Sequence, residues 1–228
     1  MNEAEKKPAK PRNAASLVVL KGQPDNPEVL VGRRPETARF MPSVWVFPGG
    51  AVDDTDFQVQ TPYNLRDDVI ARVTRTAPAD LTAALAWTAL REMREETGLI
   101  LGKKGPCEGE VASEAYGAYK EAGLAPDFSA LDYLMRACTP EYQPIRFNTR
   151  FFVADGDQTS GEIWQTSELE EISWVSLNEL PNMKIAGITS IVVEQAQQYW
   201  RERPAPDSNR KTMFFSADMD KNRIWHEE

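Results

Sequence analysis

The chain has 228 residues, 41% of them hydrophobic and 27% charged, and a net charge of -9. That length suits one domain with insertions around a sizeable core. The negative balance argues against general nucleic-acid binding, because the phosphate backbone selects basic surfaces. No apolar run approaches the roughly 18 residues of a membrane span. Cys107 and Cys138 are too few for a disulfide framework and read as reduced thiols of a cytoplasmic protein. The first twelve residues lack the hydrophobic stretch of a secretory signal. The single histidine, His226, lies near the end of the chain, so chemistry that needs a core histidine is excluded.

Residues 1–13 read as a polar tail, and 14–228 as a single domain. Ser16 to Leu20 and Glu28 to Arg33 are apolar, β-branched runs that predict two strands joined as a hairpin through Gly22 to Pro27. Arg33, Arg34 and Arg39 follow, and guanidinium groups there suit phosphate oxygens. Exposed solubilising arginines are the alternative. Val44 to Phe47 predicts a short strand leading into a turn at Pro48-Gly49-Gly50.

Residues 54–79 look like an insert, with a short helix somewhere in 64–73. Asp80 is an expected helix N-cap. From Leu81 to Thr97 the recurrence of Ala86, Leu90, Met93 and Thr97 marks one buried helical face. Gly98 suits the left-handed residue that stops the helix. Outside that stripe Glu92, Glu95 and Glu96 stand at i, i+3 and i+4, which puts three carboxylates together. Their mutual repulsion gives no helical stability. A hard divalent cation such as Mg²⁺ or Mn²⁺ gives a reason for it, since oxygen ligands bind such ions. A solvated acidic face is the bland alternative. Residues 108–123 and 127–137 both read as helical, a second insertion at about 108–137. Strands are predicted at Arg150 to Ala154 and Glu171 to Val175, with Glu168, Glu170 and Glu171 at the loop before the latter. An amphipathic helix follows from Ile188 to Trp200. Met213-Phe214-Phe215 and Ile224-Trp225 are apolar and are expected to pack on the domain or on a second subunit, in a homodimer.

The run Arg91-Glu92-Met93-Arg94-Glu95-Glu96-Thr97-Gly98-Leu99, with Phe47-Pro48-Gly49-Gly50 upstream, resembles the signature of the Nudix hydrolases. The pattern of that family places a glutamate six residues after the second glycine and the arginine eight residues later. Here Gly50 and Arg91 are 41 residues apart, 27 more than the pattern. Counted back from Arg91, the glutamate position falls on Ala83. The stretches from Arg33 to Asp53, Thr139-Pro140 and Arg146 to Phe152 resemble the branch that includes a coenzyme A diphosphatase.

The resemblance implies an α/β fold, an α/β/α sandwich around a mixed sheet with extra helices inserted. It implies metal-dependent hydrolysis of a diphosphate, with Glu92, Glu95, Glu96 and the Gly49 carbonyl around Mg²⁺ or Mn²⁺. Arg91 would orient the carboxylates, and Gly50 and Gly98 would shape the turns. Glu92 or the loop residue Glu168 would handle the attacking water. The substrate would be a small nucleoside diphosphate conjugate: coenzyme A or an acyl derivative, or else ADP-ribose or a nucleotide sugar. A catalytically idle, nucleotide-sensing domain is the reading of another class.

Overall fold

The computed structural model describes residues 8–38 and 41–228. The strands and helices, in chain order, are β1 (Arg12–Gln23), β2 (Asn26–Arg33), β3 (Trp45–Val46), β4 (Gly49–Ala51), α1 (Asp67–Val73), α2 (Ala79–Thr97), β5 (Gly102–Lys104), α3 (Glu114–Glu121), β6 (Leu124–Pro126), β7 (Asp132–Cys138), β8 (Phe147–Asp155), β9 (Glu171–Ser176), α4 (Gly187–Glu202), β10 (Met213–Ala217) and β11 (Arg223–Glu227).

Among the described residues one mixed sheet runs β11-β10-β7-β8-β1-β2-β3, with β4 also on β1 and β9 also on β2. β1 pairs parallel with β8 and antiparallel with β2, and β10 pairs parallel with β7. Alternate side chains of β1 explain the layers. Leu17 and Val19 face one core with α1, α2 and α3. Val18 and Leu20 face a second core with α4. All four are 0% exposed, and full burial of such a side chain stabilises by about 1.5–3 kcal/mol. Helices on both faces of a mixed sheet make the expected α/β sandwich. Among the described residues no helix is long and apolar enough to cross a membrane.

The structure corrects several expectations. Residues 127–137 are not a helix: β7 occupies most of them, between β8 and β10. An internal strand is apolar on both faces and so loses the alternation that marks strands in sequence. The helix expected over 108–123 shrinks to α3, because Ser113 caps it by accepting from Tyr116 N at 3.4 Å. Pro78, not Asp80, holds the N-cap position of α2, and Asp80 accepts from the adjacent Leu81 N at 2.9 Å. Gly49 and Gly50 form the short strand β4 on β1 rather than a turn. The strand β1 also begins inside the expected tail. Met213 to Phe215 do pack on the domain, as β10.

A buried ionic cluster ties α1 to the sheet. Asp132 receives Arg72 Nη2 and Arg210 Nη2 at 2.5 Å each, Arg66 Nη2 at 3.1 Å and Tyr199 Oη at 3.0 Å. Arg72 also binds Asp68 at 2.9 Å and is fully enclosed. Burial alone would raise the Asp132 carboxyl, but the arginines, Arg72 first, hold it below its ordinary value of 3.8. Removing one member of a buried pair leaves an uncompensated charge. Asp132→Asn is therefore expected to cost about 3 kcal/mol. The contribution of a depressed carboxyl is present above its unfolded pKa and fades as pH falls through the folded value. The gap in melting temperature between parent and variant should be full near neutrality and narrow below pH 3.8. A gap that is absent or independent of pH would refute this.

Candidate active site

Three elements meet at the C-terminal half of α2. The first is β4. Ser16 Oγ donates to Pro48 O at 2.8 Å and Leu17 N donates to the same carbonyl at 2.9 Å, which fixes the strand's entry. A side chain at Gly49 would press on Ser16, and one at Gly50 would overlap the Glu92 carboxylate. Glycine lets the helix and strand approach that closely. The second element is α2. Ala86, Leu90, Met93 and Thr97 are all 0% exposed, as their spacing predicts. Gly98, at φ 84°, ends the helix in the left-handed region.

The third element was not anticipated. Asp56 lies in a short 3-10 turn, Asp54–Gln58, and is 1% exposed. Its carboxylate receives Arg91 Nε at 2.9 Å and Nη2 at 3.1 Å, a two-pronged charge-assisted pair. Thr88 Oγ1 and Asp53 N also donate to it, at 2.7 and 2.9 Å. Asp56 stands six residues after Gly50, the place the pattern gives to a glutamate. Counting forward from Gly50 finds it; counting back from Arg91 crosses the insertion and lands on Ala83. On the resemblance, the extra residues would enter after Asp56.

Arg91 distributes its remaining donors over the site. Nη2 donates to Ala51 O at 3.0 Å, and Nη1 reaches Glu92 Oε1 at 2.8 Å and Glu95 Oε2 at 3.0 Å. Burial opposes its charge, yet Asp56, Glu92 and Glu95 around it hold it firmly protonated. Glu96 is 4% exposed and accepts from Gly49 N at 2.9 Å. The glutamates thus do not all lie on a solvated face: Glu92 and Glu96 are buried, and Glu95 is half-exposed. Burial pushes the Glu92 carboxyl up to about 7, with Glu95 and Glu168 adding repulsion against the pull of Arg91. Burial and then the Glu92 charge drive Glu96 well above its ordinary value. Glu95 is raised by burial as well.

The remaining candidates divide. Glu168 is exposed on its loop, and its charge acts on Glu92, Glu95 and Glu96. Arg33 turns to that loop's other carboxylates, at 2.6 Å from Glu171 and 3.2 Å from Glu170. Arg34 bears electrostatically on Glu96, and its backbone is strapped to Val44 and Ser43. Arg39 lies outside the described residues. Beside Glu95, α3 and Trp164 enclose a cavity of about 440 Å³, where the Arg94 guanidinium sits 4.1 Å over the Trp164 ring.

The carboxyls around α2 are an all-oxygen donor set of the kind hard divalent ions select, although Arg91 already pairs with Glu92 and Glu95. Among the described residues no three His, Cys, Asp or Glu side chains stand as a ready ion cage. Glu92 and Glu95 share Arg91 Nη1, and Glu96 faces Gly49 N. The residues fit a divalent ion in donor chemistry only, because in this structure each carboxylate is engaged by Arg91 or Gly49 N.

No family model matches the chain. A solved NUDIX hydrolase from Alicyclobacillus acidocaldarius is 30% identical, with a TM-score of 0.62 over 82% of this chain and 90% of that one. A Caenorhabditis elegans protein that carries the name nudix hydrolase 7 is 26% identical over 202 residues, 83% of this chain. The chain spans 60% of the length of that curated relative. A MutT protein from Bacillus halodurans, at 12% identity and TM-score 0.52 over 95% of this chain and 97% of that one, shares the fold.

The Arg91 fork makes a structural demand that can be measured alone. Asp56→Ala leaves a buried guanidinium short of its main partner and should cost about 3 kcal/mol, roughly 6–12 °C in melting temperature for a domain of this size. Asp56→Glu, which keeps the carboxylate, should recover part of that. A shift under about 2 °C for the alanine variant would show that the fork bears no weight.

Proposed function

The chain belongs to the Nudix hydrolase family, and we propose that it hydrolyses a diphosphate linking a nucleoside to a second group, with Mg²⁺ or Mn²⁺ held by Glu92, Glu95, Glu96 and the Gly49 carbonyl. One observation carries this reading: Arg91, pinned by Asp56, gathers Glu92 and Glu95 while Gly49 N holds Glu96. A divalent cation supplies charge neutralisation at the diphosphate and a more acidic water. The protein's residues do the rest. Arg91 is a positioning residue that fixes where the carboxylates lie. Glu92 and Glu168 are the two carboxylates that could orient or deprotonate the water, one from the helix and one from the loop. The cavity beside Glu95, lined by the stacked Arg94 guanidinium and Trp164 ring, lies within the size range of small-molecule sites.

For the substrate, the Arg33 to Asp53 likeness puts coenzyme A and its acyl derivatives first. Cleavage at the diphosphate gives a 4′-phosphopantetheine part and adenosine 3′,5′-bisphosphate. Arg33 and Arg34 are the cations proposed to meet the phosphates, with Arg39 as a third. Arg33 would have to leave Glu170 and Glu171 to do so. ADP-ribose and nucleotide sugars form the runner-up class.

A panel of these compounds with Mg²⁺ or Mn²⁺, read by mass spectrometry, tests the proposal. Phosphorylated products should appear from at least one of them. Glu95→Gln and Glu96→Gln should each lower kcat by about a hundredfold, as expected for loss of several kcal/mol of charge stabilisation. Arg33→Ala should raise KM if coenzyme A is the substrate. Activity within twofold of the parent for both glutamine variants would overturn the metal assignment. Turnover of ADP-ribose without coenzyme A would replace the substrate class, and a wholly inert panel would favour a sensing domain.

A further inference from the structure

β11 is the last strand of the sheet, and all five of its residues are exposed. Among the described residues its only neighbour is β10. Trp225 is 61% exposed and Ile224 38%. Natural sheets blunt such edges with proline, lysine, bulges or cover. The five-residue strand Arg223-Ile224-Trp225-His226-Glu227 is charged at both ends but has no proline at its centre, and its pairing with β10 is regular.

The direction of its backbone groups follows from the ladder. Thr212 and Glu228 exchange both bonds, at 3.1 and 2.8 Å, and Asp218 N donates to Asn222 O at 3.0 Å. Hydrogen-bonded and non-bonded pairs alternate along an antiparallel ladder. So His226 and Ile224, opposite Phe214 and Ser216, direct their N–H and C=O groups to β10. Arg223, Trp225 and Glu227 direct theirs away from the sheet.

A second β11 can meet this edge antiparallel about a two-fold axis, and only odd-numbered residues can then exchange hydrogen bonds. Centring the axis on Trp225 uses all three of them. Trp225 then faces Trp225 of the partner subunit, and Arg223 faces Glu227 of the partner subunit, twice by symmetry, where the exposed Glu227 already lies 2.9 Å from Lys211 Nζ of its own chain. Opposite charges directly across a ladder attract, and like charges repel. Any other two-fold register loses backbone bonds and breaks the charge match. We propose that β11 is a self-complementary edge through which two copies of this chain join their sheets into one, an isologous contact.

Analytical ultracentrifugation of the full chain tests this over micromolar to hundred-micromolar concentration. The parent should shift from about 25.6 kDa to twice that mass. Arg223→Glu puts two Glu–Glu pairs across the axis, and Glu227→Arg puts two Arg–Arg pairs there. Each alone should weaken the dimer about tenfold or more. Mixed in equal amounts, the two variants restore both opposite-charge pairs and should form a heterodimer. Exchange of the Arg223, Trp225 and Glu227 amides should slow in the dimer. A parent that stays monomeric, a dimer indifferent to both substitutions, or a mixture that fails to pair would each overturn the proposal.

Discussion

A single buried guanidinium organises the candidate site. Arg91 is 5% exposed, and a cation so enclosed must find anions or carbonyls for its donors or lose several kcal/mol. It finds them in three separate stretches: Asp56 at the start of the insertion, Ala51 O on β4, and Glu92 and Glu95 on its own helix. The need to satisfy one side chain therefore fixes the relative placement of the helix, the glycine strand and the loop. The cost is that Glu92 and Glu96 sit in poorly solvated positions where their charges are disfavoured. An arrangement that crowds carboxylates out of water calls for a cation, and the net charge of -9 supplies no general positive field.

The same principle recurs on the far side of the insertion. Asp132 collects Arg66 and Arg72 from the insert and Arg210 from near the C-terminus. The two ionic centres have opposite polarity, one an arginine among acids, the other an acid among arginines. Between them they tie residues 56–72 into the domain at both ends. Arg136 and Glu228 pair similarly and bring the end of the chain to β7. On that side of the sheet the outer strand is β11.

What could be read from the sequence was whatever repeats locally. The period of Ala86, Leu90, Met93 and Thr97 reveals the buried face of α2, and the hairpin of β1 and β2 announces itself by two apolar runs around a turn. The spacing of Glu92, Glu95 and Glu96 gives their proximity for the same reason. Asp56 escaped because its partner Arg91 lies 35 residues away, and the insertion shifts the count from one side only. β7 escaped because a strand buried on both faces carries no alternation. The Asp132 cluster draws on residues 66, 68, 72, 199 and 210, a union that only the tertiary fold creates. Burial of Glu92 and Glu96 was equally hidden: the apolar stripe marks one packed face of α2, and β4 covers a second.

The central claim is that the α2 carboxylates are a divalent-cation site in the native state. Thermal unfolding with and without Mg²⁺, at matched ionic strength, addresses it directly. An ion that binds only the folded protein stabilises it by roughly 2.7 kcal/mol at a hundredfold excess over Kd. The parent's melting temperature should rise with Mg²⁺ or Mn²⁺ and not with Na⁺. Glu95→Gln/Glu96→Gln, which removes two of the proposed ligands, should respond little to either divalent ion, whatever its stability without metal. Equal stabilisation of parent and double variant by Mg²⁺ would contradict the account, because the ion would then be binding elsewhere.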